Sequence, residues 1–152
     1  MIFLQLITNK LNFIKSNKTE MEQKTITNQN FITHEHLKLG AYEVKKQLNV
    51  KFSLDCLKKI EDMINNDPNI SDLERRSNII LNIGSFYGQL LIERFGGQWK
   101  GDSQIDKCTV QICNKFIEVN PFDVVKKYIK YGSTNSMVSH YIFTNMMKNS
   151  KS

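Results

Sequence analysis

The chain has 152 residues, 40% of them hydrophobic and 24% charged, with a formal net charge of +6. Those proportions suit one domain with a modest core and exclude a chain that is disordered throughout. No stretch approaches the ~20 apolar residues of a membrane-spanning helix, and the three cysteines, Cys56, Cys108 and Cys113, form no CxxC pair. An odd number without that spacing argues against a disulfide framework or a zinc knuckle and favours reduced, cytoplasmic thiols.

Residues 1–30 read as a flexible leader. The opening Met1–Ile7 is apolar but short, and Lys10 interrupts it. Neither a basic segment ahead of it nor a small-residue cleavage site behind it marks a secretory signal. Met21-Glu22-Gln23-Lys24 reads as a natural start, so residues 1–20 are expected to stand outside the native protein, and residues 31–148 to form the single domain.

From there the pattern is helical. Leu37, Ala41, Val44 and Leu48 recur at helical spacing over 33–48, with Thr33 as N-cap. Ser53 caps a second helix over 54–66, with Leu54, Leu57, Ile60 and Ile64 on one face, ended by Asn65-Asn66-Asp67-Pro68. Ser71-Asp72-Leu73-Glu74 reads as a capping box. It opens a long helix carrying Leu73, Ile80, Ile83, Tyr87, Leu90, Leu91 and Phe95, stopped at Gly96-Gly97.

The period then shortens to two. Gln98-Trp99-Lys100 is a short strand and Gly101-Asp102 a turn. Cys108, Val110 and Ile112 alternate with Thr109, Gln111 and Cys113 in a half-buried strand; on one strand the two cysteines would stand about 17 Å apart, beyond disulfide reach. Asn114-Lys115 is the next turn, and Phe116–Val119 the third strand of an antiparallel meander. Asn120-Pro121-Phe122-Asp123 opens a helix with a cap, a proline at its first position and an acid in its first turn. Phe122, Val125 and Ile129 face inward as far as Gly132. Ser133 or Thr134 caps a last helix, about 134–148, with Met137, Val138, Tyr141, Ile142 and Met146 as its apolar residues.

Within the long helix, Gly84 and Gly88 stand one turn apart, and each costs about 1 kcal/mol of helix propensity relative to alanine. Such a cost calls for a neighbour that packs close, and another backbone, that of the sheet, is the expected one. Phosphate-binding glycines precede a helix rather than interrupt it. Trp99 is expected to anchor the seam between helix and sheet, with Glu93, Arg94, Gln98, Lys100 and Asp102 around it. His34-Glu35-His36 has the wrong spacing for a helical metal pair. Cys113, His140 and Asp123 carry no local signature of a nucleophile with its base. No metal and no cofactor is expected.

From Asn82 to Tyr141 the chain resembles a group of small bacterial α+β domains of unknown function. The shared pattern is a helix with Gly84 and Gly88-Gln89, then Gly96-Gly97-Gln98-Trp99, a hairpin, and Asn120-Pro121-Phe122-Asp123-Val124-Val125 opening a helix; Tyr131-Gly132 and Ser136 also fit. Gln89 stands where the pattern more often has an acid. The resemblance implies a binding domain of the immunity or cargo-adaptor kind and brings no established activity.

The expectation is an α+β domain of three N-terminal helices, a small three-stranded antiparallel meander and two C-terminal helices packed on one sheet face. Its function is expected to be non-enzymatic binding of a protein partner, an acidic one suiting the net charge, with toxin neutralisation as the leading form. Weak nucleic-acid binding through Lys126, Lys127 and Lys130 is one alternative. The basic surplus is mostly scattered lysine, with Arg75, Arg76 and Arg94 as the three arginines, which reads as an AT-rich coding background and disfavours that partner. A small hydrolase using the Trp99 corner or Cys113 is the other. Gly84, Gly88, Gln89, Trp99, Pro121 and Phe122 mark the corner where an interaction or structural role is expected.

Overall fold

The computed structural model describes residues 32–150 apart from 102, 103 and 115. The leader at residues 1–30, Asp102 of the first turn and Lys115 of the second lie outside the described residues. The elements run α1 (His34–Leu48), α2 (Leu54–Asn65), α3 (Leu73–Phe95), β1 (Gly97–Lys100), β2 (Thr109–Ile112), β3 (Ile117–Val119), α4 (Pro121–Tyr131) and α5 (Met137–Asn149). Short 3-10 turns at Ile105–Lys107 and Gly132–Asn135 precede β2 and α5. The protein is therefore α+β, with three helices, an antiparallel meander and two further helices.

Local chemistry sets most of these boundaries. Thr33 Oγ1 accepts from the His36 amide, and the Thr33 amide donates to His36 Nδ1, so a histidine completes the capping box of α1. Ser53 caps α2 by accepting from the Cys56 amide. Asn120 caps α4 by accepting from the Asp123 amide at 2.9 Å, with Pro121 in the first turn.

Two helix starts differ from the sequence reading. Asp72, rather than Ser71, caps α3 by accepting from the Arg75 amide at 2.8 Å, and Leu73 is left exposed. A nonlocal tie fixes that start: Arg75 Nε reaches the buried Asp67 carboxylate at 2.6 Å and pins the loop between α2 and α3. Ser133 and Thr134 lie in the 3-10 turn, and Ser136 caps α5 by accepting from the Ser139 amide. Of the apolar residues of α5, Ile142 and Met146 face out and Met137 is buried, together with the polar Thr144.

The sheet has the order β1-β2-β3, with Trp99 opposite Val110 and Val110 opposite Val119. Trp99, Val110, Ile112, Ile117 and Val119 point into the core, and Gln98, Lys100, Thr109, Gln111 and Glu118 point away from it. The buried face lies on α3, the central helix, which also receives α1 and α4. Helix α4 packs chiefly on α3, and helix α5 on α2 and α4, where both were expected on one sheet face. Cys113 and Asn114 take left-handed conformations at the β2–β3 turn (φ 53° and 57°), so Cys113 has left the strand that holds Val110. Phe116 belongs to the same turn and is exposed; the third strand begins one residue later.

Candidate functional site

The corner marked by the sequence is a packed joint. Phe122 is fully buried with its ring against Gly84, where an added Cβ would stand 2.8 Å from Cε1 and closer still to Cδ1. At Gly88 the Trp99 ring takes the equivalent place, and Pro121 Cγ would be 3.0 Å from such a Cβ. The two rings lie 6.0 Å apart at a tilt of 31°. The glycines thus make room for aromatic side chains, where a sheet backbone was expected. Their helix cost is offset by ring surface that only a helix without Cβ atoms can receive at that distance.

Gln89 ties the corner to the surface. Trp99 Nε1 donates to Gln89 Oε1 (3.4 Å), Gln89 Nε2 donates to Glu93 Oε1 (3.0 Å), and the Tyr42 hydroxyl on α1 donates to the same oxygen (2.8 Å). An amide suits this place better than the acid common in the resembling pattern, because it accepts from the indole and donates to the carboxylate at once. The Tyr42 and Gln89 hydrogen bonds hold the Glu93 carboxyl below its usual range, and the same bond to Glu93 raises the Tyr42 phenol. All six marked residues are buried. Arg94, Gln98 and Lys100 beside them are exposed.

The open feature lies on another side. A cleft of about 470 Å³ runs between β3 with the start of α4 and the 3-10 turn leading into α5. Glu118, Asp123, Lys127, Ser136, His140 and Phe143 are among the residues lining it. Most polar groups here are already engaged: Lys127 with Asp123 (2.8 Å), Glu118 with Thr109 and Gln111, Ser136 with Glu61. The Thr109 and Gln111 hydrogen bonds hold Glu118 as a carboxylate below its usual range. His140 Nδ1 lies 2.7 Å from the buried Tyr87 hydroxyl. Burial and then Lys127 push the imidazole below its usual range, while burial pushes the Tyr87 phenol well above its own. Beside the cleft, α5 exposes Ile142, Phe143 and Met146.

The remaining candidates are dispersed. His34 Nε2 contacts the Gly101 carbonyl and His36 serves the α1 cap, so the two imidazoles go separate ways. Among the described residues no group of three or more His, Cys, Asp and Glu is placed to hold a metal. His140 and Asp123 both line the cleft, but its lining does not include Cys113 or Trp99. Cys56 and Cys108 are buried, and burial pushes the Cys56 thiol up to about 11. Of the α4 lysines, Lys126 pairs with Asp106, Lys127 with Asp123, and Lys130 lies over the Tyr131 ring at 4.8 Å. No helix among the described residues is long and apolar enough to cross a membrane.

The exposed face of α5 was missed in the sequence because helical spacing reveals a stripe without saying which way it points. The cleft was missed because its lining comes from separate elements and carries no motif. Comparison with family models, characterised proteins and solved structures finds no match to this chain, so the likeness of residues 82–141 to small α+β domains rests on their motifs alone.

Proposed function

We propose that this is a non-enzymatic binding protein that engages a protein partner through the outer face of α5 and the cleft beside it. One observation carries the reading: Ile142, Phe143 and Met146 are 43%, 62% and 63% exposed within little more than one turn. Met146 stands four residues from Ile142 and three from Phe143, the spacings at which helix side chains are neighbours, so the three form one patch around Met146 rather than scattered surface. Phe143 also lines the cleft, which gives the patch a concave neighbour.

Within this reading the partner is an acidic protein, and toxin neutralisation is the role that best suits a small binding domain. A chain of net charge +6 associates faster with an acidic partner through its long-range field. A reducing compartment, the cytoplasm, suits three cysteines that are not joined in disulfides. Nucleic-acid binding through α4 is less well supported, since acids already pair with Lys126 and Lys127. A hydrolase at Cys113 is less well supported too, because His140 and Asp123 line a cleft that Cys113 does not.

The test is affinity capture from the native host with wild type and Phe143→Asp at ~50 mM salt, where surface electrostatics is little screened. Wild type is expected to retain a specific acidic protein that the variant loses. The same proteins recovered by both would contradict the reading.

A further inference from the structure

Helix α5 is tied to the body of the protein near its first turns. Glu61 on α2 accepts from Ser136 Oγ (2.8 Å) and from the Val138 amide (3.2 Å), so a side chain from a neighbouring helix serves the start of α5. Tyr87 on α3 is fully buried, and its hydroxyl stands 2.7 Å from His140 Nδ1 and 3.5 Å from the Met137 carbonyl. Met137 and Thr144 supply the buried contacts, and farther along Tyr141 meets Phe95 at 5.4 Å.

A phenol carries one proton. The short distance to Nδ1 and the marginal one to the carbonyl mean that Tyr87 donates to Nδ1, which leaves the imidazole proton on Nε2. That arrangement requires a neutral ring. A proton added at Nδ1 sets N–H against O–H and turns the phenol toward a carbonyl at the limit of reach. It also leaves a cation half-buried between helices.

We propose that the Tyr87–His140 pair is a pH-sensitive latch, which docks α5 while His140 is neutral and loosens it when His140 is protonated. Among the described residues, Tyr87 from α3, Lys127 and Asp123 from α4, Glu61 from α2, Glu118 from β3 and Tyr141 on α5 itself stand around the Tyr87–His140 pair or line its cleft. The carboxylates that would welcome the new charge are committed elsewhere. Glu61 is bound to the start of α5, Asp123 to Lys127, and Glu118 to the sheet residues Thr109 and Gln111. Lys127 adds repulsion, and together with burial it opposes protonation of His140. The latch therefore opens below the ordinary histidine range near 6.5. It belongs to the helix itself, whatever engages the outer face.

The experiment follows amide hydrogen exchange in α5 and α3 of the full chain between about pH 7.5 and about pH 5, alongside the His140 ring signals. Protection in α5 is expected to fall at least about tenfold relative to α3, with the midpoint of the His140 titration. His140→Asn, whose Oδ1 stands at the place of Nδ1, accepts from Tyr87 and does not titrate, is expected to keep α5 protected throughout. Constant relative protection in wild type would overturn the latch, as would the same loss in the variant. Should the variant not fold, the wild-type titration decides alone: loss of α5 protection that does not track the His140 midpoint overturns the proposal.

Discussion

The Trp99 corner and the His140 cleft both lean on α3, and each sets an aromatic side chain against a polar one. They differ in what surrounds the pair. At the corner, Gly84 and Gly88 strip the helix of its Cβ atoms, two rings fill the space, and Gln89 satisfies the indole on the way to Glu93. At the cleft, Tyr87 is as deeply buried as Phe122, but its partner His140 is half-buried and opens on a cavity flanked by exposed apolar residues. The lesson is that a costly sequence feature need not mark an interaction surface. Mid-helix glycines are repaid by packing, whereas the exposed apolar face of α5 has no local anomaly.

That contrast can be broken in several ways. Trp99→Ala removes the ring that fills the Gly88 notch and is expected to cost about 3–5 kcal/mol in urea unfolding; a loss near zero would mean the corner is not a joint. Gly84→Ala gains about 1 kcal/mol of helix propensity but drives a methyl into the Phe122 ring, for a net loss of about 2 kcal/mol by the same measurement. A gain in stability would show that the ring moves aside freely.

Acid should separate the two sides with a smaller effect. Both His140 and Glu93 have folded-state values below their ordinary ones of 6.5 and 4.5. Each therefore contributes stability that is fully present above that ordinary value and is lost as pH falls through the folded one. Urea midpoints measured across this range should decline first from the His140 side, below 6.5, and only later from the Glu93 side, below 4.5. His140→Asn should remove the first decline and leave the second. A first decline that persists in the variant would assign it to another group.

Much of the fold was legible because its signals are short-range. Thr33, Ser53 and Asn120 cap helices whose first turns they touch, and the Asn120-Pro121 start needs no tertiary context. Ser71 and Asp72 are both good caps, and a salt bridge eight residues long in sequence, Asp67 to Arg75, accompanies the choice of Asp72. At the β2–β3 turn, alternation carried the strand one residue too far, since Cys113 keeps the period but turns the chain. The corner was visible through its glycines, though what filled it was not: nothing local distinguishes a ring from a backbone as the close neighbour. In α5 the apolar residues sit on more than one side, and a terminal helix packed along one side against α2, α3 and α4 buries fewer of them than its pattern offers.

One pair of variants compares the two sides with the same residue type. Phe122 is 0% exposed against Gly84, and Phe143 is 62% exposed at the cleft. Urea unfolding of Phe122→Ala is expected to lose about 3–5 kcal/mol, and that of Phe143→Ala to stay within about 0.5 kcal/mol of wild type. A Phe143→Ala loss as large as that of Phe122→Ala would contradict the division between a closed joint and an exposed apolar surface.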